Sequence, residues 1–97
     1  MYNVETVYKD ENFKLSTEEV DGELFVHLRL QSASRPIIER VLQEFAKVKA
    51  KAYWDGREAI YTYTKDSRML RIIPFAEYVG DVMFNGDVYK VGKWELN

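Results

Sequence analysis

The chain contains no cysteine, and this absence removes a whole group of chemistries. Disulfide bonds, thiolate metal sites and cysteine nucleophiles are all excluded. Proline and glycine are scarce as well, with two and five residues, and no linker or repeat divides the 97-residue sequence. Pro36 and Pro74 fall at the ends of predicted elements. We therefore expect one domain that spans residues 1–97.

Long apolar runs are also missing. Residues 1–15 are polar and alternating, whereas a signal peptide has a charged start followed by an apolar block. The longest apolar stretches are only a few residues, too short to span a bilayer. Together with the lack of cysteine, this pattern predicts a cytoplasmic protein without a membrane partner.

Catalytic signatures are equally sparse. His27 is the only histidine, and one histidine without cysteine forms neither a catalytic triad nor a metal cluster. The sequence has no Walker loop and no dinucleotide fingerprint. We therefore predict no catalytic residues, no metal and no cofactor, and a function based on binding another macromolecule.

The first half of the chain carries a strong hairpin signal. Asp21-Gly22 lies between two alternating runs, as a two-residue type I′ turn requires. This turn pairs Val20 with Glu23. One face of the hairpin then carries Phe13, Leu15, Thr17, Leu24, Val26, Leu28 and Leu30. The other face carries Lys14, Ser16, Glu18, Phe25, His27 and Arg29.

A long helix is predicted next, because apolar residues recur at spacings of three and four. Ser34 and Pro36 fit its start, and Asp55-Gly56 fits its end. Its apolar stripe consists of Ile37, Ile38, Val41, Leu42, Phe45, Val48 and Ala52. Its polar face is predicted to carry Arg40, Glu44, Lys47 and Lys51.

The remaining elements complete an α+β pattern. Strands are predicted at residues 2–8 and 59–64, and Asp66 or Ser67 is predicted to cap a short helix that Pro74 stops. A second hairpin turns at Asn85-Gly86. The order is β-β-β-α-β-α-β-β, with one long and one short helix. A strand on each side of the long helix favours a parallel crossover in a mixed, mostly antiparallel sheet.

Three segments carry a resemblance to a known fold: residues 26–45 (VHLRLQSASRPIIERVLQEF), 59–75 (AIYTYTKDSRMLRIIPF) and 84–96 (FNGDVYKVGKWEL). In this order they resemble the acyl-CoA-binding, C-terminal part of the GNAT N-acetyltransferase fold, over about seventy residues. The chain looks most like the small GNAT-like proteins of tailed bacteriophages. The resemblance implies a single GNAT-like domain.

The family's cofactor loop reads Gln/Arg-x-x-Gly-x-Gly/Ala, and its bare backbone N–H groups hold the pyrophosphate of CoA. The matching stretch here is residues 31–36, QSASRP, where Ser34 replaces the first glycine. Pro36 replaces the second small residue and removes an N–H donor. The family's tyrosine acid falls at Ile72 or Ile73. The resemblance therefore implies a non-catalytic phage or prophage accessory protein. A minimal acyl-CoA-dependent N-acetyltransferase and a GNAT-like structural virion protein are the alternatives.

Charge along the chain suggests how such a protein would bind. Residues 1–24 hold seven acids against two lysines. Carboxylates on a rigid hairpin can imitate a phosphate backbone and bind the lysine- and arginine-rich surface of a nucleic-acid-binding protein. This predicts an inhibitor of a host defence complex, of the anti-CRISPR type, acting in the host cytosol as a monomer or homodimer. The predicted acidic partner-binding face consists of Asp10, Glu11, Glu18, Glu19, Asp21 and Glu23.

Direct nucleic-acid binding is the least favoured alternative. Tyr61 and Tyr63 lie among basic residues in the sequence, and rings beside cations hold single strands. The isoelectric point of 5.4 and the interleaved acids argue against it. The basic residues concerned are Lys47, Lys49, Lys51, Arg57, Lys65, Arg68 and Arg71.

Overall fold

The structure is a computed structural model that describes residues 3–65, 68–74 and 76–96, without the side chains of Asn3, Arg68 and Met69. The predicted strand residue Tyr2 and the predicted caps Asp66 and Ser67 lie outside these residues. The strands are β1 (Asn3–Lys9), β2 (Phe13–Val20), β3 (Glu23–Leu30), β4 (Ala59–Thr64), β5 (Glu77–Phe84) and β6 (Asp87–Glu95). The helices are α1 (Arg35–Trp54) and α2 (Arg68–Ile72).

All six strands form one sheet in the order β1-β2-β3-β4-β6-β5. β3 and β4 are parallel, with α1 as the crossover between them, and the other neighbours are antiparallel. The predicted α+β class and the order β-β-β-α-β-α-β-β are confirmed.

The first hairpin has the predicted register. Asp21 and Gly22 have φ values of 52° and 82°, the two left-handed conformations of a type I′ turn. Val20 pairs with Glu23, and the pairing continues to Phe13 opposite Leu30. Turn chemistry and hydrophobic alternation thus select the same register.

The second hairpin is built in the same way. Asn85 and Gly86 have φ values of 52° and 82°. Asp81 lies opposite Lys90, as predicted. β6 pairs with β4 on its other side, so β5 is left at the edge of the sheet.

The long helix begins after Ser34 and ends at Asp55-Gly56, where Gly56 has a φ of 86°. Ser34 is extended but makes no side-chain cap hydrogen bond. The prediction that Glu44 lies on an exposed polar face is wrong, because Glu44 is only 5% exposed. Position 44 adjoins the buried stripe, and Glu44 is compensated there by Lys47 at 3.0 Å and Arg40 at 3.6 Å.

The core lies between the helices and one face of the sheet. Trp94 packs edge-on against Phe45 with ring centroids 4.9 Å apart, and its Nε1–H donates to the Pro74 carbonyl oxygen at 3.2 Å. A Cβ at Gly92 would lie 2.5 Å from Leu70 Cδ2, so α2 approaches the sheet where a side chain is lacking. α1 and α2 therefore cover the same face.

Within the described residues, neither helix combines the length and the apolar character needed to cross a membrane.

Candidate functional site

The sheet face opposite α1 and α2 has no described element packed over it. We name it the open face. Strand register places the side chains, because neighbours across the ladder share a face. Its central residues are Lys14, Ser16, Glu18, Phe25, His27, Arg29, Tyr61, Tyr63 and Tyr89.

Five half-buried rings form a contiguous group on this face: Phe25, His27, Tyr61, Tyr63 and Tyr89, which we name the ring cluster. Tyr63 is central, with centroids 5.6 Å from Phe25, 4.8 Å from His27 and 5.6 Å from Tyr89. Phe25 also lies 5.6 Å from Tyr61. Rings spaced this way support each other and leave part of their surface for a ligand.

A buried carboxylate holds the ring cluster in place. The Glu18 side chain is 8% exposed, and its Oε1 accepts a hydrogen bond from the Tyr63 hydroxyl at 3.1 Å. His27 Nε2 lies 2.9 Å from the same oxygen. A carboxylate oxygen accepts hydrogen bonds, so the His27 tautomer that carries its hydrogen on Nε2 donates to Glu18. Glu18 therefore fixes two rings from neighbouring strands, His27 of β3 and Tyr63 of β4.

Three cations lie side by side next to the ring cluster. Lys9 is opposite Lys14, and Lys14 is opposite Arg29, all on the open face. We name these three residues the cation row. Like charges directly opposite each other destabilise a sheet. No carboxylate in the described residues forms an ion pair with any of the three.

The cation row is close to the ring cluster. Arg29 follows His27 by two positions on β3, which is roughly 6.6 Å along the strand. Lys65 extends the basic edge beyond β4, where its ammonium lies 5.6 Å from the Tyr89 ring and 2.9 Å from Asp87. The open face thus places planar rings close to the positive charges of the cation row, which have no ion-pair partners in the described residues.

The six predicted acidic residues do not share a surface. Asp10 and Glu11 lie in the turn before β2, whereas Asp21 and Glu23 lie beyond its other end, about 27 Å along the strand. Glu18 is buried in the open face. Glu19 is on the opposite face and pairs with Arg57 at 3.0 Å. A phosphate-mimicking acidic face remains a prediction, and its residues are divided between the two ends of the hairpin.

Asp10 has a structural role in its turn. Its carboxylate accepts hydrogen bonds from the Tyr8 hydroxyl at 2.7 Å and from the backbone N–H groups of Asn12 and Phe13 at 2.7 and 3.0 Å. The Tyr8 hydrogen bond first, and then the two backbone bonds, hold the pKa of Asp10 below its ordinary value. The same Asp10 contact raises the pKa of Tyr8.

This lowered pKa predicts a pH-dependent stability difference. Asp10 contributes stability that is present above its unfolded pKa and is lost as pH falls through its lower folded pKa. We expect Asp10→Asn to unfold at lower urea concentration at about pH 6, with the difference shrinking towards about pH 2. Glu11→Gln, on the next residue, should show no comparable trend. A pH-independent difference for Asp10→Asn would contradict the role of its charge.

The basic patch around Tyr61 and Tyr63, the least favoured alternative from the sequence, is not formed by the lysines of α1. Lys47, Lys49 and Lys51 belong to α1, which covers the other face of the sheet from these rings. Lys65 beside Tyr89 and Lys93 opposite Tyr61 lie nearest the rings, but they pair with Asp87 and Glu95. The cations next to His27 that form no ion pair within the described residues are Lys14 and Arg29. The available signal was the hairpin register, which already placed both on the face of Phe25 and His27.

The loop at residues 31–36 is exposed at the start of α1. Pro36 lies in the first turn of the helix, as the sequence predicts. The loss of CoA binding through Ser34 and Pro36 stays a prediction from the family motif.

No group of three or more metal-ligating side chains occurs among the described residues. The ring cluster and the cation row together form the candidate site. Comparison of the chain with known protein families, with curated proteins and with solved structures gives no match.

Proposed function

We propose that the open face binds single-stranded nucleic acid. The observation that supports this function is the ring cluster beside a cation row that has no ion-pair partners in the described chain. Bases stack on aromatic side chains, and phosphates pair with lysine and arginine. A ligand that carries planar rings and regularly spaced negative charge matches both parts of the face.

A single strand fits this face better than a duplex. The rings are half buried in a sheet, so they reach only bases that are free to leave a stack. Duplex bases show their edges in grooves, and a sheet face does not enter a groove as a helix does. The Glu18 contacts hold the rings of Tyr63 and His27 in fixed positions. Because these side chains are already ordered, they lose less conformational entropy when a ligand binds.

The net charge of −2 is compatible with this function because charge is unevenly placed. On the open face, Glu23 and Glu95 lie at the end of the sheet away from the cation row, and Asp87 at the other end pairs with Lys65. A strand would therefore place its phosphates near Lys9, Lys14 and Arg29, with bases over the ring cluster. The opposing acids limit electrostatic steering, so we expect modest affinity.

Fluorescence anisotropy with labelled oligonucleotides of about twelve nucleotides tests this function. We expect dissociation constants of about 1–100 µM for oligo-dT and oligo-U at about 0.1 M salt. Three phosphate contacts on a single strand predict a slope of about −2 in log affinity against log salt.

Two matched probes isolate the two halves of the site. An abasic oligonucleotide of equal length should bind at least about tenfold more weakly, because stacking contributes about 1–3 kcal/mol per base. A duplex of equal length should also bind more weakly. Absence of binding at about 1 mM protein, or equal affinity for all three probes, would rule out the proposal.

Protein binding through the acidic residues and acetyl transfer both stay predictions from the sequence. A test of the acidic face should leave Glu18 unchanged, because replacing it would also disturb Tyr63 and His27. Reversal of Glu11, Glu19 and Glu23 changes exposed acids only.

A further inference from the structure

β5 forms one edge of the sheet and exposes an unusual amount of apolar surface. It pairs with β6 on one side, and no described strand lies on its other side. Met83 is 74% exposed and Tyr78 is 54% exposed. The exposed apolar residues of this hairpin are Tyr78, Val79, Val82, Met83, Phe84 and Val88.

These side chains lie on both faces of the sheet. Strand alternation places Val82 and Phe84 on the open face, and Met83 on the face of α1. A ligand or helix docking on one face would leave the other face exposed. Continuation of the sheet by another strand gives the side chains on both faces a neighbour at the edge and also pairs the edge backbone.

We propose that the β5 edges of two copies of this chain pair antiparallel, which joins two six-stranded sheets into one of twelve strands. This proposal is independent of nucleic-acid binding. Six roughly half-exposed side chains present on the order of 500 Å² per copy. Two copies together present about 1,000 Å² of apolar surface around the paired edges, comparable with the smallest area of a specific interface.

The hairpin turn fixes which backbone groups of β5 point outwards. In a two-residue hairpin the flanking pair, here Phe84 and Asp87, is hydrogen-bonded. Hydrogen-bonded and non-hydrogen-bonded pairs alternate, so Met83 and Asp81 direct their N–H and C=O groups away from β6. Two β5 edges must match outward residues with outward residues.

This constraint and the charges select one register. A two-fold axis at Asp81 would place two carboxylates opposite each other, which is destabilising. An axis at Val82 places Val82 opposite Val82 of the second copy and Asp81 opposite Met83 of the second copy. An axis at Met83 would place Asp81 opposite Asn85 of the second copy. Asn85 belongs to the turn, so fewer strand residues would be paired.

The register centred on Val82 also uses Gly80. It places Phe84 of the second copy opposite Gly80 on the open face. A Cβ at Gly80 would meet no heavy atom within 4 Å, so there is room for the ring. An aromatic side chain across from a strand glycine shields the bare backbone there. The Asp81 carboxylate already accepts a hydrogen bond from the Tyr78 hydroxyl.

The other edge, β1, is less suited to pairing. It carries Glu5 and Lys9, both exposed, and a bulge between Thr6 and Tyr8. β5 also carries two exposed charges, Glu77 and Asp81, so the difference is the bulge in the middle of β1, which hinders strand addition. β5 has a bulge only near its start, between Tyr78 and Gly80. After Gly80, which has a φ of 141°, the pairing from Asp81 to Phe84 continues without a register shift.

Cysteine cross-linking of the full chain tests the register, because the chain has no cysteine of its own. Val82→Cys should form an intermolecular disulfide under mild oxidation, since a non-hydrogen-bonded pair brings Cα atoms to about 4.5 Å, within disulfide range. Phe84→Cys should cross-link far less, because it would face Gly80. Efficient cross-linking through Met83→Cys and not Val82→Cys would overturn this register.

Sedimentation velocity over a range of concentrations tests the dimer itself. We expect the parent chain to form a dimer and Val82→Lys to weaken it at least tenfold, because two lysines would meet at the axis. Val4→Lys on the β1 edge, where Val4 is 57% exposed, is the matched control and should leave the dimer intact. Circular dichroism confirms that the variants fold. A parent chain that stays monomeric at all concentrations, or equal effects of both lysines, would overturn the proposal.

Discussion

Replacing Lys14 and Arg29 together by glutamine is expected to weaken single-strand binding by about 100-fold at moderate salt. Each residue supplies a charged hydrogen bond to phosphate, and such bonds contribute about 1.5–3 kcal/mol each. One decade of affinity corresponds to about 1.4 kcal/mol. Because Lys14 lies directly between Lys9 and Arg29, the double variant leaves one cation of the row.

The salt dependence separates this role from a general charge effect. Loss of two phosphate contacts should reduce the slope of log affinity against log salt from about −2 to about −0.7. Lys49→Gln with Lys51→Gln removes the same charge from α1, on the far side of the sheet from the ring cluster. This control should keep the slope and most of the affinity. Equal losses in the two double variants would mean that only net charge matters.

The same double variant should stabilise the free protein slightly. Like charges across strands repel, and each such pair costs a few tenths of a kcal/mol, up to about 1 kcal/mol. A gain in stability together with a loss of binding is typical of residues retained for a ligand. Ordinary surface lysines would show neither change.

The fold could be predicted from local signals because each hairpin has a turn that allows one register. Asp21-Gly22 and Asn85-Gly86 both have the left-handed conformations that their sequences favour. α1 has one apolar stripe and ends at a glycine. In each case turn chemistry and hydrophobic period agree, which is why the order of elements is confirmed.

The candidate site could be predicted only in part. The hairpin register placed Lys14, Glu18 and His27 on one face. Glu18 was nevertheless interpreted as an exposed acid, because the residue that covers it, Tyr63, lies 45 positions later in the chain. A count of charges along the sequence cannot show which carboxylates long-range packing will bury.

The third member of the cation row, Lys9, was missed for a similar reason. Lys9 meets Lys14 only through pairing of β1 with β2, which includes a bulge between Thr6 and Tyr8. A bulge shifts the register by one residue, and the segment between β1 and β2 contains no turn motif that would predict this shift. The same long-range limit explains Glu44, whose burial depends on how α1 sits on the sheet.

Trp94→Ala is expected to give the largest loss of stability of any change considered. Trp94 is 1% exposed and is the largest fully buried side chain among the described residues. Large-to-small changes of this kind cost about 3–5 kcal/mol. A domain of this size has roughly 5–15 kcal/mol in total. At about 4–8 °C per kcal/mol, the melting temperature should fall by about 12–40 °C.

Trp54→Ala is the matched control, because Trp54 is the only other tryptophan and is 84% exposed. It should change the free energy of unfolding by less than about 0.5 kcal/mol. Trp94→Phe should fall between the two, since it keeps a ring against Phe45 but leaves the Pro74 carbonyl oxygen without its donor. Thermal unfolding followed by circular dichroism measures all three, and similar losses for the two alanine variants would contradict the burial of Trp94.

The Trp94 variants also separate stability from binding. The indole lies on the face of α1, whereas the ring cluster lies on the open face of the same strands. Trp94→Phe therefore removes core contacts without touching a residue that we place against the ligand. At temperatures where this variant is folded, it should bind single strands with parental affinity and salt slope. Loss of binding in a fully folded Trp94→Phe protein would show that the ligand site extends to the helix-covered face.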